Sequence, residues 1–149
     1  MTLREKVQEN LNESMKARDA GRTSVLRMLK AAIMKFEVSG DAKKVASDEE
    51  VMTIIAKEVK QRKESIEAFN KGGRSDLSAN EEAEMKILLV YLPEQMSEAA
   101  VREAVTRIAG EVGATSKADL GKLMGAVMKE LKGRADGKVV NMVVGELLK

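Results

Sequence analysis

Apolar residues recur at helical spacing along almost the whole chain. The first stripe falls every four positions, at Leu3, Val7, Leu11 and Met15. Thr2 and Glu5 have the spacing of a capping box, in which two side chains satisfy backbone amides at the start of a helix. A second stripe follows a short interruption, and we expect its helix to run from Arg22 or Thr23 to 39–41.

Two further helices are predicted before the single proline. Ser47 and Glu50 form a second capping box at the start of the longest helix, which stops at the glycine-containing segment 70–73. A fourth helix is predicted from about Ser78 and ends before Pro93, because the residue preceding a proline is disfavoured in the helical conformation.

Three shorter helices follow the proline, each bounded by cap or stop residues. These are Ser97 and Gly113 for the first, Ser116, Asp119 and Gly133 for the second, and Asp136 and Gly137 for the third. The valines of the last segment would also suit a strand, but a lone strand would have no partner in this chain. We therefore predict an all-α fold with a four-helix N-terminal domain over 1–93, a hinge at 93–96 and a three-helix C-terminal domain over 97–149.

Composition narrows the chemistry of the interior. Aromatic residues make up 2% of the 149 residues, tryptophan is absent and methionine occurs 10 times. We expect aliphatic side chains and flexible thioethers to fill the core, and most methionines to lie there. The chain has neither cysteine nor histidine, which excludes disulfides, thiolate nucleophiles and the commonest general base and transition-metal ligand.

Charge and hydropathy suggest a cytoplasmic protein. The net charge is only +2, the start of the chain lacks a signal-peptide apolar stretch, and no apolar run reaches the length of a membrane span. We expect no membrane or DNA partner, no cofactor and no metal site. The acidic group Glu81, Glu82 and Glu84 could bind a divalent cation, but it also suits the positive end of a helix dipole, and we prefer that interpretation.

Seven segments, taken in order, resemble the YqeY family. They are 27–33 (RMLKAAI), 58–65 (EVKQRKES), 73–77 (GRSDL), 91–95 (YLPEQ), 113–114 (GA), 118–124 (ADLGKLM) and 132–138 (KGRADGK). The same family domain forms the C-terminal tail of the GatB subunit of the glutamine-dependent aspartyl/glutamyl-tRNA amidotransferase, a carbon–nitrogen ligase. The resemblance implies four helices followed by three, and a tail that helps to hold tRNA while other domains carry the chemistry.

The sequence gives no support for stand-alone amidotransferase catalysis. A cysteine nucleophile is impossible, and no Ser–Ser–Lys arrangement lies in a Gly/Ser-rich stretch. The segment Leu120–Gly121–Lys122 superficially resembles a phosphate loop, but such a loop needs a glycine where this chain has Ser116. We predict no catalytic residue, although an enzyme using carboxylates and lysine stays open.

The stronger RNA signal lies in the C-terminal part. Six basic residues against three acidic ones give a net +3 between Lys117 and Lys138; the basic residues are Lys117, Lys122, Lys129, Lys132, Arg134 and Lys138. Two predicted helix N-termini, at Ser116 and Asp136, would offer amides to phosphate, and glycines 121, 133 and 137 would allow close backbone approach. Alternatively, Gly133 and Gly137 are turn residues and Gly121 is a site where two helices pack.

A second candidate RNA-binding group lies on the longest helix. Lys57, Lys60 and Gln61 share one face suited to phosphate contact, or they form an ordinary solvated face. Arg62 instead falls at the edge of the apolar stripe and needs an anionic partner. The candidates for that partner are Glu82, Glu84 and Asp76.

These observations leave two functions open. The first is a tRNA-binding or amidotransferase-associated adaptor, with tRNA and the amidotransferase subunits as partners. The alternative is a helical protein–protein interaction module that uses methionine-bearing surfaces, at Met28, Met34, Met52, Met124, Met128 and Met142.

Overall fold

The computed structural model describes residues 1–40 and 44–148, which form seven α-helices and one 3-10 turn, with no strand in those ranges. The elements are α1 (Leu3–Lys16), α2 (Ala20–Val38), α3 (Asp48–Lys71), α4 (Ser75–Leu89), α5 (Glu98–Val112), the 3-10 turn (Lys117–Asp119), α6 (Leu120–Leu131) and α7 (Gly137–Leu147). The all-α prediction is therefore confirmed for this part of the chain. Asp41, predicted within the end of the second helix, lies outside the described residues.

Most predicted caps are present. The capping boxes at Thr2 and Ser47 begin α1 and α3, and the Ser97 hydroxyl accepts the Ala100 N–H at the start of α5. Gly113 ends α5 with a φ of 70°, in the left-handed region that glycine adopts without strain. Local side-chain chemistry thus fixes these boundaries.

The start of α2 differs from the prediction. The helix begins at Ala20, because the Asp19 carboxylate accepts the Arg22 N–H at 3.1 Å and caps it. The segment 19–21, which interrupts the apolar pattern, is thus the cap and first turn of α2 rather than a gap before it.

The bounds of α4 also differ from the prediction. This helix begins at Ser75 rather than Ser78 and ends at Leu89, four residues before Pro93. The Ser78 hydroxyl is not a cap; it donates to the Ser75 carbonyl at 3.1 Å from within the first turn. Arg74 holds the N-cap position without a side-chain cap bond, which explains why no capping signal marked this start.

Contacts divide the chain into two compact units, Met1–Leu92 (unit 1) and Pro93–Lys149 (unit 2). Unit 1 contains α1 to α4 around an aliphatic core, Val7, Leu11, Val25, Leu26, Leu29, Ile33, Ala46, Val51, Ile55, Val59 and Leu88. Unit 2 packs α5 to α7 around Val101, Ala104, Val105, Ile108, Ala109, Leu123, Val127, Leu131, Val140, Val143, Val144 and Leu148. The prediction that the first four helices and the last three each form an independently folding domain stays a prediction.

The segment predicted as a hinge is attached to unit 2 at its C-terminal end. The Gln95 side-chain amide donates to the Gly133 carbonyl, and the Met96 N–H donates to the Arg134 carbonyl, each at 2.8 Å. Residues 95–96 therefore belong to the framework of unit 2.

The expectation that most methionines lie in the core is wrong. None of the 10 methionines is buried; Met28 and Met34 on α2 are 55% and 50% exposed, and Met128 and Met142 in unit 2 are also exposed. Valine, leucine and isoleucine occupy the central positions of each apolar stripe, and the methionines lie at its edges or outside it. The thioethers therefore contribute to the surface and to the margins of the cores rather than to their centres.

Candidate nucleic-acid interface

The solvent face of α6 combines exposed backbone with lysines. A Cβ added at Gly121 or Gly125 would meet nothing within 4 Å, so no side chain covers the helix there. Lys122 lies between these glycines and Lys129 lies one turn after Gly125; both lysines are exposed and form no ion pair with any described carboxylate. We call Gly121, Lys122, Gly125 and Lys129 the α6 face. This arrangement also excludes Gly121 as a site where two helices pack within the described structure.

The acidic residues near the α6 face already have partners. Glu130 accepts from the Arg107 guanidinium at 2.7 Å. Asp119 accepts the Thr115 and Ser116 N–H groups at 2.9 and 3.3 Å, and these two bonds, with a smaller effect of the Lys122 charge, lower the pKa of its carboxyl. Neither carboxylate forms an ion pair with Lys122 or Lys129, so both ammonium groups stay accessible to an external anion.

Acidic side chains cap both of the helix N-termini that the sequence predicts as anion sites. Asp136 accepts the Lys138 N–H at 2.9 Å at the start of α7, and Asp119 occupies the amides before the 3-10 turn. A capping carboxylate uses these donors and adds negative charge, so a phosphate would have to displace it. Each terminus therefore has a carboxylate on at least one of its backbone donors, and anion binding by the remaining amides stays a prediction.

The other predicted basic residues surround α6 on exposed positions. Lys117 lies in the 3-10 turn, Lys132 and Arg134 lie in the connection after α6, and Lys138 lies in the first turn of α7. In that connection Gly133 has a φ of 77°, so it serves as the predicted turn residue.

The second predicted group lies on α3 in unit 1. Lys57, Lys60 and Gln61 are exposed, and Lys57 and Gln61 line a groove between α2 and α3. Lys60 does not line this groove. The structure thus keeps the two predicted groups in different units.

Arg62 is a buried structural cation. Its guanidinium contacts Glu58 Oε2 at 2.9 Å and Glu84 Oε2 at 3.3 Å. Glu84 was among the predicted partners, whereas Asp76 pairs with Arg74 instead. Glu58 was missed, although its i, i+4 spacing to Arg62 on one helix is a recognisable ion-pair signal.

Comparison with known proteins identifies the family. The family described as Yqey-like protein matches residues 4–148, which is nearly the whole chain. The chain belongs to the YqeY family.

Several fungal proteins are similar to this family member. It is 30% identical over 146 residues to altered inheritance of mitochondria protein 41, mitochondrial, of Pyrenophora tritici-repentis, covering 96% of this chain and 79% of that protein. It is 34% identical over 91 residues to an uncharacterised protein of Schizosaccharomyces pombe, covering 61% and 72% of the two chains. A Vanderwaltozyma polyspora protein with the same name as the first is 33% identical over 87 residues, with 58% and 46% covered.

The names of two of these relatives assign them to mitochondria. The sequence of this chain predicts a cytoplasmic protein, and this location stays a prediction. Among the described residues, no helix has the length and apolar character needed to cross a bilayer.

Proposed function

We propose that this YqeY-family chain binds the phosphate backbone of a folded RNA, of the tRNA class, through the α6 face. In this proposal it acts as an adaptor associated with a tRNA-dependent amidotransferase and performs no catalysis of its own. The amidotransferase association rests on the resemblance of seven segments to the family whose domain forms the tail of the GatB subunit. RNA binding rests in addition on the geometry of unit 2.

The observation that carries the proposal is the α6 face itself. Glycine in a helix interior lowers helix stability by roughly 0.5–1 kcal/mol relative to alanine, so Gly125 in the interior of α6 is unfavourable for folding alone, and Gly121 leaves the first turn uncovered as well. Because these glycines have no side chains, a ligand can approach the backbone of α6 closely. Lys122 and Lys129 on the same helix carry charges that no described carboxylate pairs with, so both are available for phosphate contact.

The composition favours recognition of shape rather than of bases. The chain has no tryptophan, one tyrosine and two phenylalanines, and the Tyr91 hydroxyl accepts from the Asn10 amide at 2.6 Å. Stacking on unpaired bases depends on exposed aromatic rings, which unit 2 lacks altogether, since Tyr91 and both phenylalanines, Phe36 and Phe69, precede it. A rigid helix with lysines along it instead follows the backbone of a folded RNA.

The test is tRNA binding at two salt concentrations with the full chain and a Lys122→Glu/Lys129→Glu variant. We expect affinity to fall steeply as salt rises, and the variant to bind at least about tenfold more weakly with a salt slope reduced by about two. A Lys16→Glu/Lys86→Glu variant is the matched control, because it makes the same charge change on exposed helix positions of unit 1. Equal binding by both variants, or no tRNA binding at low salt, would contradict the proposal.

One observation favours the alternative function, a protein–protein interaction module. Four of the six methionines proposed for such a surface, Met28, Met34, Met128 and Met142, are exposed. Flexible thioethers on a surface adapt to differently shaped apolar partners.

A further inference from the structure

A groove of about 650 Å³ runs between α2 and α3 in unit 1. Its lining comprises Ala32, Lys35, Phe36 and Ser39 from α2, and Glu50, Thr53, Ile54, Lys57, Glu58 and Gln61 from α3. Ala32, Phe36 and Ile54 make the groove partly apolar, and all three are only half-buried. We call these residues the α2–α3 groove.

The two acidic residues of the α2–α3 groove are neutralised within unit 1. Glu50 Oε2 lies 2.9 Å from Lys44 Nζ, and hydrogen bonding to Lys44 lowers the pKa of its carboxyl. Glu58 Oε2 lies 2.9 Å from the buried guanidinium of Arg62. Both carboxylates are therefore committed to internal cations.

The two lysines of the groove have no such partners. Lys35 and Lys57 are exposed, on α2 and α3 respectively, and neither forms an ion pair within the described residues. The groove therefore presents an apolar lining together with two uncompensated positive charges. Its complement is a ligand that is apolar on one side and acidic on its flanks.

The length of the groove suits a short helix. From Glu50 to Gln61 the lining spans about three turns of α3, or roughly 16 Å. Met28, which is 55% exposed, precedes Ala32 by one turn on the same side of α2 and adds an adaptable apolar contact beyond the lined region.

We propose that the α2–α3 groove binds an acidic amphipathic helix of a partner protein. Apolar residues at i, i+3 or i+4, and i+7 of that helix contact Ala32, Phe36 and Ile54, and its carboxylates pair with Lys35 and Lys57. An RNA backbone would use the two lysines but leave the apolar lining uncovered. This inference concerns a different surface from the α6 face.

The probe is a synthetic peptide of about 15 residues with leucines at helical i, i+4, i+7 and i+11 spacing and glutamates at the flanking positions. A second peptide with lysine in place of every glutamate is its control. Binding to the full chain is measured by fluorescence anisotropy, and the contact site by NMR chemical shifts. We expect the acidic peptide to bind, to shift the signals of Ala32, Phe36 and Ile54, and the basic peptide not to bind.

Two variants test the groove directly. Lys35→Glu/Lys57→Glu should weaken binding of the acidic peptide by about tenfold or more, while the Lys16→Glu/Lys86→Glu control should bind as the unmodified chain does. Ala32→Phe should weaken binding without any charge change, because the larger side chain fills the groove. Circular dichroism of each variant confirms that the helices remain folded.

Several results would overturn the inference. These are no binding of the acidic peptide, equal binding of both peptides, or chemical-shift changes confined to unit 2. An undiminished affinity of a folded Lys35→Glu/Lys57→Glu variant would also overturn it. If tRNA shifted the groove signals and the peptide did not, the occupant would be nucleic acid and the inference would be wrong.

Discussion

Among single residues, Glu37 joins several segments of unit 1 through its carboxylate. From α2 it accepts Arg4 Nε of α1 at 2.6 Å and the Ala46 N–H, just before α3, at 2.8 Å. Its side chain is 10% exposed, whereas the Arg4 side chain is 40% exposed, so water is largely excluded from the carboxylate but reaches the guanidinium. One carboxylate thereby connects three segments that are distant in sequence.

Replacing Glu37 by glutamine should destabilise the protein. Glu37→Gln keeps the shape but removes the charge that both donors prefer, and a hydrogen bond to a charged group contributes about 1.5–3 kcal/mol. We expect a loss of about 1–3 kcal/mol in the free energy of unfolding, measured by urea denaturation at pH 7. A Glu9→Gln variant, at an exposed site of α1, should show no comparable loss.

The hydrogen bonds of Glu37 should make the stability of the protein depend on pH. The Arg4 hydrogen bond, followed by the Ala46 N–H, holds the pKa of Glu37 below its ordinary value of 4.5. A lowered folded-state pKa gives stability that is complete above the unfolded-state pKa and is lost as pH falls through the folded-state pKa. The stability difference between the unmodified chain and Glu37→Gln should therefore shrink below about pH 4.5. A difference that stayed constant down to about pH 2 would contradict this account.

Removing the cation and removing the anions of the Arg62 ion pairs should cost different amounts of stability. The guanidinium side chain is 7% exposed, whereas Glu58 and Glu84 are 22% and 39% exposed. Glu58→Gln/Glu84→Gln leaves a buried charge without a counter-ion, and we expect a loss of about 3–5 kcal/mol in unfolding free energy. Arg62→Met leaves two carboxylates that water can reach, so its effect should be much smaller. Equal effects in thermal unfolding would contradict the burial argument.

At the scale of the helices, boundaries were predictable where a side chain marks them. Ser47, Ser97 and Gly113 carry local signals that need no tertiary structure, and each is found at the predicted cap. The start of α4 could not be predicted in this way, because Arg74 provides no capping oxygen. Asp19 was a sufficient cap, but Gly21 in the next turn resembled a break.

Glycine-to-alanine substitutions should change stability in opposite directions at the turn position Gly113 and on the α6 face. Gly113→Ala places a Cβ on a residue at φ 70° and should destabilise unit 2 by about 1 kcal/mol. Gly121→Ala and Gly125→Ala both enter open space; Gly125→Ala, in the interior of α6, should stabilise the helix by about 0.5–1 kcal/mol, and Gly121→Ala, in its first turn, by less. Thermal unfolding followed by circular dichroism tests both signs.

The α6 substitutions also report on RNA binding. If the exposed backbone of α6 contacts phosphate, the more stable Gly121→Ala/Gly125→Ala variant should bind tRNA more weakly than the unmodified chain. Gained stability with unchanged tRNA affinity would show that the glycines have no part in binding.

At the scale of the whole molecule, the two units have separate hydrophobic clusters. We therefore predict that residues 1–92 and 93–149, produced separately, each fold into a helical structure. The second fragment is close to the lower size limit for a single core, so we expect it to unfold at lower denaturant concentration. Circular dichroism with urea titration tests this; an unstructured first fragment would contradict the prediction of two domains.

The candidate sites were only partly predictable from the sequence. Lysine positions and their exposure follow from helical periodicity, so Lys122 and Lys129 could be selected in advance. The sequence does not show which carboxylates already form ion pairs. Glu130, for example, pairs with Arg107 of another helix, 23 residues away in sequence. The α2–α3 groove could not be predicted for the same reason: its walls come from two helices, and only Lys57 and Gln61 of its lining belong to a group that the sequence marks for binding.

The absence of methionine from the buried positions has a consequence for oxidative damage. Peroxide converts methionine to a polar sulfoxide, which disrupts an apolar core when the residue is buried. Here the oxidisable sulfurs at Met28, Met34, Met128 and Met142 lie on the exterior, Met85, Met96 and Met124 lie at the margins of the cores, and the fully buried positions hold side chains that peroxide does not modify. Oxidation of the four exposed methionines should therefore leave the helices folded and make the surface more polar, a change that sulfoxide reductases can reverse.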